Sequence, residues 1–413
     1  MNRIAAKTAP IAEAERFTLA YWIMAHEARI LLMAGREDDG LAVARQMPHG
    51  VFGLNLPLRL IADGGTRFLL AKRDLAGARR WSATLNQAPL FPASLTSFGV
   101  ALALTWDEAL SAAPSPDWFY DRALASGLDL LSADRLVELS RKPGLSLKIR
   151  RAMLSAAWLR FYILGRDADF RALFPEIRAT LPELEADLND VERAWTPWTR
   201  RHRITHMLLR FPGLSPRLLW SRPGPINSER DAGKTLSYVD VSNLSDGNWW
   251  CPIDPVRAQR DFFAQTFAAP LSSLFRAEPT NMKSLVVTTG DADPSLDTLN
   301  ALAHDWLAWH PLFKEADLPE LTRLSQAPSG PARLSQEAVA WAQESFWFTR
   351  WLGLDRGLPE TLALAVRSTR YGCRRAGPLG RVSHAAWKAL HSLYPKSEAA
   401  ARTPRWFNEH QIY

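Results

Sequence analysis

Apolar residues recur at three- and four-residue steps from the first helix-length segment onward. Phe17, Ala20, Tyr21, Met24, Ala28, Leu31 and Leu32 mark one side, while Trp22, Ile23, Ile30 and Met33 fill much of the opposite side. A period near 3.6 predicts an α-helix, and one apolar on two sides is expected between two neighbours. The end of this helix opens a pattern that recurs along the chain. ILLMAGREDDGLAVAR (30–45), FLLAKRDLAGARRWSA (68–83) and FYILGRDADFRALFPE (161–176) align without gaps once the first is offset by one residue, with Arg36, Arg73 and Arg166 coinciding, as do Glu37, Asp74 and Asp167. Gly35 and Gly165 suit the left-handed conformation that ends a helix, the arginine offsets the negative end of its dipole, and the acid favours the start of the next. Each copy is therefore predicted to be a helical hairpin.

The first two copies stand 37 positions apart, Arg36 to Arg73, which is close to the period of tetratricopeptide arrays. The third lies much further on, so the array is expected to be irregular. Between them, residues 109–142 predict short helices capped at Ser115 and at Ser132 or Asp134. Residues 182–211 predict one longer polar helix that stops at Phe211-Pro212-Gly213. The periodicity then lapses into a Pro- and Gly-punctuated stretch with two β-prone runs, TLSYVDVS (235–242) and SLVVTT (284–289), which can pair as a small ribbon near 235–289. Helical runs resume in PSLDTLNALAHDWLAWHP, LSQEAVAWAQESFWFTRWLG, LPETLALAVRSTRYG and VSHAAWKALHSLYP. The expected fold is all-α, an irregular α–α superhelix of tetratricopeptide-like hairpins. It divides into an N-terminal helical-repeat region (1–212), an irregular connector (213–294) and a C-terminal helical-repeat region (295–413).

LPETLALAVRSTRYGC (358–373), SHAAWKALHSLYPKSEAAARTPRWF (383–407) and the upstream NWWCPID (248–254) carry a resemblance. Together they resemble a family of large bacterial proteins with degenerate tetratricopeptide-like helical repeats. The resemblance implies a fold and assigns no activity.

Composition narrows the classes. Over 413 residues, 47% hydrophobic and 23% charged positions are those of a globular chain able to bury a sizeable core. No uninterrupted apolar run approaches the roughly 18 residues of a membrane span; the longest, such as FGVALALTW (98–106), is about half that. Glu13 and Glu15 fall where a secretory segment would place its apolar core, so a cytoplasmic location is expected, or a periplasmic one if the chain is part of a longer secreted precursor. The net charge of +7 comes mainly from arginine and is weak ground for nucleic-acid binding.

Candidate chemistry is sparse. Two cysteines, Cys251 and Cys373, exclude a disulfide-dense scaffold and a Cys-only zinc site. Each follows an aromatic and a turn residue, so two readings stay open: packing between helical units, with Trp249 and Trp250 beside Cys251, or a thiol contact that closes to a disulfide in an oxidising compartment. His202 and His206 share a helix face, as zinc ligands do, but Arg200, Arg201 and Arg203 surround them with opposing charge. Gly233-Lys234-Thr235 lacks the first glycine of a phosphate loop, and Asp291, Asp293, Ser295 and Asp297 lack the sixth-position glycine and final glutamate of a calcium loop. No catalytic residue and no cofactor is predicted. The expected function is a protein-binding scaffold or adaptor, its interaction surface at Trp195, Trp198, Arg200, Arg201, Arg203, Trp249 and Trp250. The alternatives are a metal- or thiol-dependent enzyme, and a nucleic-acid-binding protein using arginines of the 148–203 region.

Overall fold

The computed structural model describes residues 20–47, 56–85, 102–111, 122–211, 214–218, 255–256, 258–259, 309–345, 357–371 and 379–406. Every regular element among the described residues is a helix, so the all-α class holds. Both β-prone runs lie outside them. The chain forms two compact units, one drawn from residues 1–115, 121–127 and 259–315, the other from 116–120, 128–258 and 316–413.

The first unit holds α1 (20–33), α2 (Glu37–Gln46), α3 (Leu56–Ala71), α4 (Leu75–Leu85) and α5 (Trp106–Ser111), and Trp81 of α4 is fully buried in it. Two glycines make room for it. A Cβ on Gly40 would stand 2.8 Å from the Ala28 carbonyl and 3.3 Å from the Trp81 ring, and one on Gly65 only 2.6 Å from that ring. Helices α2 and α3 thus approach the indole by giving up side chains, and Gly40 also lets α2 come close to the α1 backbone. The expectation that α1 is covered on both sides does not hold: Ala25, Ala28 and Leu32 are buried, but Ile23 and Ile30 are 59% and 61% exposed. Periodicity identifies apolar sides but not how many of them find a neighbour.

The recurrent turn is real, and its register differs in one copy. After α1 the Gly35 N–H bonds Leu32 O and the Arg36 N–H bonds Leu31 O, with Gly35 at φ +79°. The same paired bonds close the turn at Gly165, φ +72°. In the middle copy they fall one residue later: Arg73 bonds Leu70 O and Asp74 bonds Leu69 O, and Arg73 itself takes the left-handed conformation at φ +63°. Arg73 therefore corresponds to Gly35 and Gly165, not to Arg36 and Arg166. With no glycine available, the chain runs one residue further before turning, and Asp74 caps α4 by accepting from the Gly77 N–H at 2.8 Å. In the other two copies the arginine reaches forward instead, Arg36 to Asp39 at 2.7 Å and Arg166 to Asp169 at 2.8 Å.

Helix α6 (Arg122–Leu128) leads into the second unit. Next come α7 (Ala133–Ser140), α8 (Leu147–Ile163), α9 (Asp167–Ala172), α10 (Phe174–Thr180), α11 (Glu185–Glu192) and α12 (Pro197–Arg210), then α13 (Leu318–Gln326), α14 (Gly330–Ser345), α15 (Leu358–Tyr371), α16 (Leu379–Leu393) and α17 (Glu398–Arg402). Polar caps start several of them: Ser132, Ser146, Asp317 and Ser397 each accept the backbone N–H three residues on. The single helix expected over 182–211 is two. Thr196 and Thr199 form a reciprocal capping box, and Pro197, which has no N–H to continue a preceding helix, opens α12 afresh. The interruption leaves Trp195 outside either helix.

At the centre of this unit α8 carries Trp158, stacked on Phe170 at 4.7 Å, and the fully buried Arg160. Arg160 is held by three distant segments. Its guanidinium donates to the carbonyls of Leu131, Asp129 (3.1 Å) and Pro216 (2.8 Å), and lies 3.5 Å from Oδ1 of the fully buried Asp129. Asp129 Oδ1 also accepts the Leu218 N–H at 2.5 Å. Glu320, 3.9 Å from Arg160, accepts the Ala133 N–H at 2.8 Å, and the Asp317 N–H bonds Leu130 O. Burial pushes the Glu320 carboxyl above its usual range while the Arg160 charge pulls it back. A buried ion set is stable only when its remaining lone pairs and N–H groups find partners, which the carbonyl and amide bonds here provide.

Candidate functional site

Helices α12 and α14 pack side by side, and the residues along their seam bring together a connected set of polar side chains. Glu337, one turn on from Arg333, is its organiser. One carboxylate oxygen accepts from the Tyr162 hydroxyl at 2.7 Å and the Thr205 hydroxyl at 2.8 Å; the other receives Arg333 Nε at 3.2 Å and Arg201 Nη2 at 3.5 Å. Burial, with the facing Glu337 carboxylate, drives the Tyr162 hydroxyl far above its usual range, so it stays a proton donor. Arg333 also donates to Ile163 O at 2.9 Å and lies 4.5 Å over the Tyr162 ring. A recess of about 360 Å³ opens here, lined by Arg201, Pro328, Arg333, Gln336, Glu337 and Ala340.

Further along the seam, Trp198 Nε1 donates to Glu344 at 2.9 Å, and the His202 ring stacks on Trp341 at 4.2 Å with Trp198 edge-on at 4.1 Å. His202 and His206 do not converge. His206 Nδ1 lies 2.7 Å from the Thr361 hydroxyl, which also lies 2.8 Å from Gly357 O. Among the described residues no group of three His, Cys, Asp or Glu side chains is placed to hold a metal ion.

Burial, reinforced by Arg201, pushes His202 down to about 3; burial, reinforced by Arg210, pushes His206 down to about 4. Both are bases whose folded-state pKa is depressed below the ordinary value near 6.5, so the folded form binds fewer protons than the unfolded one between those limits. Stability is complete above pH 6.5 and falls as the pH drops toward 3, by about 2 kcal/mol at pH 5 from His202 alone. Urea unfolding at pH 7.5 and pH 5 measures the drop. His202→Phe keeps the stack on Trp341 and is expected to remove about that much of it; an unchanged drop counts against this assignment.

The arginines expected to form an open basic face are mostly engaged with the protein. Arg200 donates to Ala194 O at 3.1 Å and Arg203 to Asp190 O at 2.8 Å, while among the described residues Arg201, 66% exposed, has a single long contact, to Glu337. Trp195 is 76% exposed, the highest value for a large apolar side chain among the described residues. Trp249, Trp250, Cys251 and Cys373 lie outside the described residues. Sequence alone does not distinguish Arg333, Gln336 and Glu337, which read as the polar face of one more amphipathic helix. Among the described residues, no helix is long and apolar enough to cross a membrane. Comparison of the chain with protein-family models, curated proteins and solved structures finds no match to any of them.

Proposed function

We propose that this protein is a binding scaffold whose second unit grips another protein at the start of α12, on a frame of tetratricopeptide-like helical hairpins. The observation that carries the reading is Trp195. It stands in the helix break enforced by Pro197, 76% exposed and near Arg193, whose side chain is 75% exposed. An aromatic side chain buries roughly 150–250 Å², worth about 4–6 kcal/mol at ~25 cal/mol per Å², and folding leaves most of that unused here. Trp and Arg are the residue types that anchor protein interfaces. The closed turns at Gly35, Arg73 and Gly165 supply the repeated hairpin joint. Arg203 is paired with the Asp190 carboxylate at 3.6 Å, and Arg200 and Arg203 each spend a donor on a backbone carbonyl; both favour this reading over nucleic-acid binding.

Affinity capture from the source cells with wild type and Trp195→Ala tests it. A partner retained stoichiometrically by wild type and depleted at least tenfold by Trp195→Ala is expected; captured proteins indifferent to the substitution would refute the role of this surface.

A further inference from the structure

Resting on the protein-binding reading, we propose that the recess between α12 and α14 takes a carboxylate of the partner, an Asp or Glu side chain clamped by Arg201 and Arg333. The recess is a built feature and not a chance pairing of surface charges. Glu337 is saturated by Tyr162, Thr205 and Arg333, so it works as an internal counter-charge that fixes the Arg333 guanidinium, which is further held by Ile163 O and the Tyr162 ring. Those contacts use Arg333 Nε and Nη1, leaving Nη2 without a protein partner among the described residues. Arg201, with one 3.5 Å contact, has most of its donors unused. Guanidinium groups suit the two oxygens of a carboxylate, which accept in parallel.

Charge selects the ligand class. Two guanidinium cations and one carboxylate leave the lining one positive charge in excess, which a carboxylate neutralises. A dianionic phosphate would instead leave a surplus negative charge beside Glu337. Pro328 and Ala340 give the recess an apolar part for the methylenes of an acidic side chain, and about 360 Å³ is ample for one residue. The seam continues to Trp198 and Glu344 for flanking residues of the same segment.

The full chain is probed with an array of random dodecapeptides, and the best binders are remade with each Asp or Glu changed to its amide. The proposal expects one acidic position whose amide binds at least tenfold more weakly. It expects that preference to vanish in Arg333→Gln and, independently, in the exposed Arg201→Gln, each checked for an unaltered unfolding transition. N-acetylglutamate amide should displace the peptides at lower concentration than inorganic phosphate. Peptides bound without acidic preference overturn the clamp but leave the scaffold reading standing; displacement led by phosphate overturns the carboxylate assignment. Failure to bind any peptide sinks the clamp as a peptide site, while the Trp195→Ala capture decides the scaffold reading separately.

Discussion

Replacing Arg160 by Met is expected to destabilise the second unit by about 3–5 kcal/mol, because buried Asp129 would keep only Arg217, 3.6 Å from its other oxygen, and Glu320 would lose the cation 3.9 Å from it. The substitution nearly preserves volume, so a packing loss is not the cause. Arg160 Nε and both terminal nitrogens also satisfy the Leu131, Asp129 and Pro216 carbonyls, and these lose their partner together. Arg160→Lys is expected to fall close to Met, since three donors on one nitrogen cannot span acceptors set around a planar fork. Hydrogen exchange read on peptides from α8 and α13 reports the second unit alone. Arg160→Met combined with Asp129→Asn should cost less than the two single changes added. An Arg160→Met protein within about 1 kcal/mol of wild type would show that the ion set contributes nothing.

The second large effect lies in the first unit. Trp81→Ala is expected to cost about 3–5 kcal/mol, the range for emptying a buried aromatic site. Gly65→Ala is expected to cost about 1–3 kcal/mol, because its Cβ would sit 2.6, 3.0 and 3.1 Å from three atoms of the Trp81 ring, itself fully buried. The combination distinguishes this cause from a generic intolerance of the site. Once the indole is gone the clash disappears, and Ala is a better helix former than Gly by up to about 1 kcal/mol. Gly65→Ala should therefore change sign and stabilise the Trp81→Ala protein. Thermal and urea unfolding of the four proteins decide it; the same destabilisation in both backgrounds would refute the wedge.

Local chemistry is what the sequence makes legible. Helical period indicates the all-α class, and glycine after an apolar run marks the turns at Gly35 and Gly165. Of the two residues able to cap their helix, Ser132 and Asp134, Ser132 is the one used. The slip at Arg73 is hidden from an alignment because alignment counts positions, and without a glycine nothing in this copy marks which residue takes the left-handed conformation. Pro197 is a readable signal that the helical period over 182–211 masks: a proline one residue after a threonine starts a helix more readily than it continues one. The ion set is also partly readable, since LRFYI places Arg160 inside a run apolar on all sides. Its partners are not, because nothing local ties Asp129 or Glu320 to it. The recess is hidden for the same reason: Trp195 and Arg201 stand out by residue type, while Glu337 matters through Tyr162 and Thr205, which only tertiary packing brings near.

The second unit's sequence is split by residues 259–315, which belong to the first. During translation Asp129 and Arg160 leave the ribosome long before Glu320, and at ~5–20 residues per second the interval is on the order of ten seconds. Through that time α8 has its cation but not all of its counter-charges, and water must solvate what the finished unit buries. The nascent chain thus passes through a half-assembled stage, with the side of α12 that α14 later covers available to chaperones and to neighbouring chains alike.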